Sequence, residues 1–174
     1  MSVTGLPAVV NDFNIYNSGN KLVGISGETA IPDFEMKTET VSGAGLLGEI
    51  DVPVIGQFGN NAQEIKFRCI NKDFFDLIDP TNPVELVLRG AIQMINGGTG
   101  ATEYVGCRLI FRGLPAKVAI GTFKQGGAMD SAITLHLTYF CAELDGKKVI
   151  EVNKVSPTYR VNGKDLLAPI KKLT

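Results

Sequence analysis

The sequence predicts a mainly β protein, an antiparallel β-sandwich or barrel with one short flanking helix and a long apolar hairpin loop. Apolar and polar residues alternate with period two in several long segments, which is the pattern of strands that bury one face. Turn-forming residues separate these segments at hairpin spacing, and helix-like periodicity is confined to short stretches. No linker or low-complexity tract interrupts the 174 residues, so we expect a single domain over residues 1–174.

The alternating segments define the predicted strands in chain order. A short one places Ile65, Phe67 and Cys69 on its inner face. Three longer ones follow, and their predicted inner faces carry Val84, Leu86, Leu88, Ile92 and Met94, then Val105, Cys107, Leu109 and Phe111, then Ile133, Leu135, Leu137 and Tyr139. We expect the residues between them to face solvent or a partner.

Turns and helices occupy the intervening stretches. Residues 17–20, 96–100, 124–127 and 145–146 are rich in Gly, Asn and Asp, which favour tight turns. Residues 72–78 predict the short helix, because Asn71 can cap its first turn and Pro80 ends it. Its apolar stripe consists of Phe74, Phe75, Leu77 and Ile78. A weaker pattern predicts a second short helix over 164–168.

Residues 41–59 fit neither a helix nor a half-buried strand. Their glycines and Pro53 disfavour both, yet large apolar residues dominate and only Glu49 and Asp51 are charged. Long segments of this kind are often functional, and an exposed apolar patch of this size marks an interaction site. We therefore predict a hairpin that docks on a neighbouring copy through Leu46, Leu47, Ile50, Val52, Val54, Ile55 and Phe58. The pattern alone also permits an ordinary pair of core strands.

Bulk composition excludes several function classes. The formal net charge is −1, which lacks the basic excess of a nucleic-acid or anionic-membrane binder. Residues 1–60 hold seven acids and two bases, a charge of −5, whereas residues 61–174 hold 11 acids and 15 bases, a charge of +4. We expect no signal peptide and no insertion of the monomer into a membrane. The 3 cysteines are widely spaced, and we expect them to be reduced and buried.

Catalytic and cofactor signatures are weak. Residues 43–48 match the glycine spacing of a dinucleotide site, but that site needs a following helix, and strand-like residues follow here. His136 lies on the polar face of a predicted strand, where a surface histidine is the simplest interpretation, although Ser131 and Asp130 are near in sequence. Zinc would require more ligands. We therefore expect no enzyme activity, no cofactor and no metal.

The N-terminal part of the chain carries a series of short motifs in close order. They are Asn11-Asp12-Phe13-Asn14, Leu22-Val23-Gly24, Gly27-Glu28, Ile31-Pro32-Asp33-Phe34-Glu35, Thr38-Glu39, Ser42-Gly43-Ala44-Gly45, Gly48-Glu49-Ile50-Asp51-Val52-Pro53-Val54 and Gly56-Gln57-Phe58-Gly59. This series resembles the major tail tube protein of contractile-tailed bacteriophages, a family shared with phage-tail-like bacteriocins. The remainder fits that family in length and strand pattern.

The resemblance implies a tail tube-like β-sandwich and a structural function. Six copies would form a ring whose inner sheets join into one barrel, and the rings would stack into the inner tube of a contractile tail. Such a tube lies inside a sheath protein, and a tape-measure protein sets its length. Baseplate and tail terminator proteins lie at its ends. DNA is ejected through the lumen without specific binding. The hairpin around residues 46–58 would correspond to the loop that contacts adjacent subunits. The implied location is the virion tail, after assembly in the cytoplasm of the bacterial host.

A conduit for DNA should not attract its phosphates, because basic contacts would hold it. We therefore expect a negative lumen or ring face formed by Asp33, Glu35, Glu39 and Glu49. An alternative function is the tube subunit of a phage-tail-like bacteriocin or a type VI-like injection particle. A different class, a small-ligand-binding β-barrel, would instead keep residues 41–59 inside as pocket lining.

Overall fold

Strands dominate the structure, as the alternation predicts. The computed structural model describes residues 5–174. Within that range the strands are β1 (Gly5–Asn17), β2 (Asn20–Lys21), β3 (Met36–Val41), β4 (Ile50–Phe58), β5 (Ala62–Phe67), β6 (Val84–Asn96), β7 (Thr102–Ala119), β8 (Ser131–Leu144), β9 (Lys147–Asn153), β10 (Thr158–Val161) and β11 (Lys164–Asp165). The helices are α1 (Lys72–Asp76) and α2 (Ala168–Lys171). No helix formed by residues 5–174 is long and apolar enough to cross a membrane.

Two antiparallel sheets contain these strands. The large sheet has 9 strands in the order β11-β10-β9-β8-β7-β6-β1-β2, with β5 also paired to β8. Strand β8 is shared along its length, because its first half pairs with β5 and its second half with β9. Strands β3 and β4 form a separate two-stranded sheet. The predicted mainly β, antiparallel fold class is confirmed.

The large sheet bends over its own core in the middle of β7 and β8. The register between them shifts after Arg112, which leaves Thr138 as an extra residue, and an extra residue bends a strand. Gly113 lies at this bend, where a Cβ atom would come within 2.3 Å of the carbonyl oxygen of His136. Both halves of β8 bury side chains in one apolar cluster. The bent sheet therefore supplies both layers of the sandwich.

This bulge corrects one predicted face. Alternation predicts that Tyr139 shares the inner face with Leu137, but the extra Thr138 reverses the phase of the strand. Phe140 is buried instead, and Tyr139 lies on the opposite face beneath the guanidinium group of Arg112. The remaining inner-face residues of β6 and β7 follow the prediction, with Leu86 and Phe111 almost wholly buried.

The cysteines differ from the prediction of buried thiols. Cys141 is buried and Cys107 is half-buried, where burial raises the pKa of both thiols. Cys69 is exposed. The reason is that β5 ends at Phe67, two residues before Cys69, so the alternation that would bury Cys69 does not reach it.

The helix α1 covers one side of the core, as predicted. The side chain of Asn71 accepts a hydrogen bond from the amide of Phe74 (2.9 Å) and caps the helix. Phe74 and Leu77 are buried in the core. The second helix is displaced from its predicted position over 164–168, because Lys164–Asp165 pairs with β10 as a strand. Helix α2 begins instead at Ala168, next to Pro169, a residue suited to a first turn.

Candidate functional site

The hairpin of β3 and β4 stands apart from the large sheet and is anchored at its base. The ring of Phe58 makes edge contacts with the rings of Phe34 and Tyr159, at centroid distances of 6.4 and 5.0 Å. Lys154 Nζ donates to the carbonyl oxygen of Gly59 (2.8 Å), and burial lowers the pKa of its ammonium group. Every residue from 37 to 55 is exposed. The hairpin is therefore a projecting element on a fixed base.

The residues predicted to dock on a neighbour divide between this projection and its base. Leu46, Leu47, Ile50, Val52, Val54 and Ile55 are exposed. Leu47, at the tip, is fully exposed. Phe58 differs, since it is half-buried among the aromatic rings of the base. The structure thus brings six of the residues onto one element and uses Phe58 to hold that element.

The two faces of the hairpin differ in polarity. Directly opposite residues of an antiparallel pair share a face, and Val41 lies opposite Ile50 while Glu39 lies opposite Val52. The other face pairs Thr40 with Asp51, and the Thr40 hydroxyl donates to the Asp51 carboxylate (2.6 Å). The hairpin therefore presents a largely apolar face and a polar one.

This geometry contradicts two of the weaker interpretations of residues 41–59. Residues 41–55 are all exposed, so they do not line an interior pocket as a ligand-binding barrel would require. The glycine run 43–48 forms the tip of the hairpin, and strand β4 rather than a helix follows it. The helix terminus that would receive a pyrophosphate is not formed there.

The four predicted acidic residues accompany the hairpin. Asp33 and Glu35 lie on the stem that leads into β3, Glu39 lies within β3, and Glu49 immediately precedes β4. All four side chains are exposed. The structure therefore places negative charge along the same projecting element that carries the exposed apolar residues.

A second surface that sequence reasoning missed is the outer edge of β1. On one side β1 pairs with β6 along its length, but on the other β2 pairs only with Tyr16 and Asn17. Among the described residues, the edge from 5 to 14 has no strand beside it. Leu6, Val9 and Val10 on this strand are exposed. Register shifts after Pro7 and Val10 interrupt the alternation and conceal the strand in the sequence.

The face of the large sheet that points away from the core carries paired charges. We call it the open face, defined by Glu85, Arg89, Arg108, Arg112, Tyr139, Glu143, Glu151 and Arg160. Arg108 contacts Glu143 at 3.2 Å. Arg112 Nε donates to Glu85 (3.0 Å), and its guanidinium carbon lies 5.2 Å from the centre of the Tyr139 ring.

Glu151 is the most enclosed carboxylate of the open face. It accepts hydrogen bonds from the Tyr139 hydroxyl (2.9 Å) and from Lys148 Nζ (3.1 Å), and Arg160 lies 3.6 Å away. Burial by itself raises the pKa of Glu151, but the bonds from Lys148 and Tyr139 outweigh it and hold the pKa below its ordinary value. Burial and the bond to Glu151 raise the pKa of Tyr139. The cluster therefore favours an ionised Glu151.

The candidate catalytic residues are not brought together. His136 is exposed on β8. Ser131 is buried and donates its hydroxyl to the carbonyl oxygen of Ile120 (2.6 Å) rather than to His136. Among residues 5–174, no group of three His, Cys, Asp or Glu side chains is arranged to hold a metal ion.

Two sequence comparisons agree on one family. The family model described as phage tail tube protein FII matches residues 7–173. The tail tube protein of Escherichia phage P2 is 26% identical over 165 residues, which is 93% of this chain and 94% of that protein. A chain in the 6-fold symmetrised cryo-EM structure of the anti-feeding prophage baseplate aligns with 79% of this chain and 95% of its own length, at 13% identity and a TM-score of 0.48; a likeness at that level does not establish a shared fold. Because the family model spans nearly the whole sequence, the chain belongs to the phage tail tube protein FII family and is a structural subunit of a phage tail.

Proposed function

We propose that this chain is a non-enzymatic tail tube domain that assembles into rings of six, and that the rings stack into the inner tube of a contractile tail. The ring size and the contractile setting follow from the family resemblance. The observation that carries self-assembly is the projecting hairpin, whose large apolar side chains are exposed on an anchored base. A soluble monomer rarely exposes a contiguous apolar element of this kind unless a partner covers it.

The hairpin docks on an adjacent copy in this proposal. Its apolar face, with Val41, Ile50 and Val52, and its tip residues Leu46 and Leu47 are the contact surface. Because this surface and the one that receives it are different parts of one chain, the contact is heterologous and can build rings or filaments. Phe58 and its aromatic neighbours act indirectly by fixing the direction in which the hairpin projects.

The open edge of β1 joins copies within a ring. An unpaired strand edge is a template for pairing with another chain, and the residues from 5 to 14 offer such an edge over most of a long strand. Closing sheets edge to edge into a barrel removes that hazard. The exposed Leu6, Val9 and Val10 then become interface residues.

The acidic residues serve the face between rings in this proposal. They lie along the hairpin and its stem, beside the proposed docking surface: Asp33, Glu35, Glu39 and Glu49. Residues 61–174 carry the compensating excess of +4. Opposite charges on the two sides of a contact speed association and fix its register.

The wider setting of the proposal is the virion tail, with DNA passing through the lumen. The tube would be assembled in the host cytoplasm, lie inside a sheath protein and be bounded by baseplate and tail terminator proteins, with a tape-measure protein setting its length. These partners follow from the family resemblance, and the balanced net charge of −1 suits passage of DNA without binding.

Size-exclusion chromatography of the purified chain, followed by negative-stain electron microscopy, tests the proposal. The expected result is rings or tubes at high protein concentration, with a monomer in equilibrium at low concentration. The chain should also polymerise when a crowding agent is added. A monomer at every concentration, with or without the crowding agent, would contradict self-assembly.

A further inference from the structure

Three arginines of the open face, Arg89, Arg108 and Arg112, each contact a residue of a neighbouring strand. Arg112 donates hydrogen bonds from Nε and Nη2 to the same carboxylate oxygen of Glu85, Oε2, and Arg108 contacts Glu143. Arg89 lies over the ring of Tyr16, with its guanidinium carbon 5.0 Å from the ring centre. None of these three guanidinium groups points alone into solvent, although all three side chains are exposed.

Stability alone gives little reason for this arrangement. Arg89 and Arg108 lie directly opposite each other in the β6–β7 ladder, where like charges repel. Both ion pairs are well exposed on the arginine side, and exposed pairs contribute little to folding. The consistent feature is instead electrostatic: a cluster of arginines is partly neutralised by Glu85 and Glu143.

The position of this face within a ring supplies a reason. The inference rests on the proposed tube, in which the large sheets join edge to edge. One face of each sheet must then point inward. The other face carries the core, the second layer with β5, and helix α1, and this bulk would fill the lumen. The open face is the thin side, and it leaves the lumen clear.

We propose that Glu85 and Glu143 are masking residues, which occupy Arg112 and Arg108 so that the phosphate backbone of passing duplex DNA cannot. Carboxylate and phosphate oxygens compete for the same fork of guanidinium donors. With the carboxylates present, a phosphate must displace an intramolecular partner. Without them, each freed arginine becomes a contact that binds DNA and slows its passage.

Binding of a labelled DNA duplex to the purified chain, measured by fluorescence anisotropy, tests this proposal. The double variant Glu85→Gln with Glu143→Gln should bind more tightly than the wild type. Two additional phosphate contacts steepen the dependence on salt, so its affinity should fall about tenfold more than that of the wild type between about 50 and 200 mM salt. Glu85→Gln alone should show about half of this additional salt dependence, measured as the slope of the logarithm of affinity against the logarithm of salt concentration.

Two control variants separate masking from net charge. Glu28 and Glu64 are exposed and lie off the open face, so Glu28→Gln with Glu64→Gln makes the same change in charge without freeing an arginine. Adding Arg108→Gln and Arg112→Gln to the masking variant should abolish its gain in binding. The masking proposal is overturned if Glu85→Gln with Glu143→Gln binds DNA no more tightly than Glu28→Gln with Glu64→Gln does. Because the assay uses the subunit, its result is independent of assembly, which the chromatography and electron microscopy at high protein concentration test separately.

Discussion

Single residues at the bend of the sheet decide how its two layers meet. Gly113 occupies the corner of β7, where the backbone of β8 leaves no space for a side chain. The nearest atom is a backbone carbonyl oxygen of His136, which cannot rotate away as the end of a flexible side chain could. The corner therefore depends on a glycine for reasons of volume.

Replacement Gly113→Ala should destabilise the fold by about 1–3 kcal/mol, the usual range for overpacking. Gly106→Ala is the matched control in the same strand, because a Cβ atom there meets nothing within 4 Å. We expect the control to change the free energy of unfolding by less than about 0.5 kcal/mol. Urea denaturation of both variants checks this. Equal effects of the two replacements would contradict the claim that Gly113 is required for lack of space.

Glu151 ties the stability of the open face to pH. Its pKa is held below the ordinary value of 4.5 in the folded chain. In the unfolded chain it takes up a proton first as the pH falls, so its contribution is complete above pH 4.5 and is lost as the pH falls through the folded value. Its bonds to Tyr139 and Lys148 are the source of this contribution.

We expect Glu151→Gln to lower the free energy of unfolding by about 1–2 kcal/mol at neutral pH. The difference from the wild type should narrow as the pH falls below 4.5, where the wild type also loses the charge. Glu64→Gln, at an exposed position, is the control and should have little effect at either pH. A Glu151→Gln difference that stays constant across this range would contradict the coupling.

At the scale of elements, the proposed docking surface of the hairpin is distinct from the residues that anchor it to the sandwich. Its outer residues contact solvent, whereas Phe58 and its partners fix the base. Changes to the outer part should therefore leave the sandwich intact, while changes to the base should affect both folding and assembly.

Changing Ile50 and Val54 together to Asp should abolish polymerisation and leave a folded monomer, because both are exposed in the apolar part of β4. The free energy of unfolding should change by less than about 0.5 kcal/mol per site. Thr38→Asp, on the polar face opposite Pro53, is the matched control and should still form tubes. Normal tubes from the double Asp variant would rule out docking by this face.

The elements that alternate regularly were predictable, and the irregular ones were not. Strand β6 and the first half of β7 keep period two, and the capping residue Asn71 marks α1. Strand β1 contains two register shifts and Tyr139 follows a bulge, so period two fails in both. The hairpin was predictable for a different reason: its glycines and Pro53 suit neither a helix nor a half-buried strand, although large apolar residues dominate it.

At the scale of the whole molecule, the near-zero net charge conceals an uneven distribution. The acidic residues of the first 60 positions concentrate on the hairpin and its stem, whereas the open face combines arginines with glutamates that partly neutralise them. In a stacked assembly these two surfaces would have different roles, one between copies and the other toward the lumen. Both roles require more than one copy of the chain. The composition of one chain therefore does not reveal them.

Cryo-electron microscopy of tubes formed by the full chain tests the proposed assembly most directly. The expected map shows rings of six in which the edge of β1 pairs with a neighbouring sheet, the hairpin covers part of an adjacent copy, and Arg108 and Arg112 face the lumen beside Glu143 and Glu85. A tube whose subunits leave the hairpin uncovered, or whose open face points outward, would contradict it.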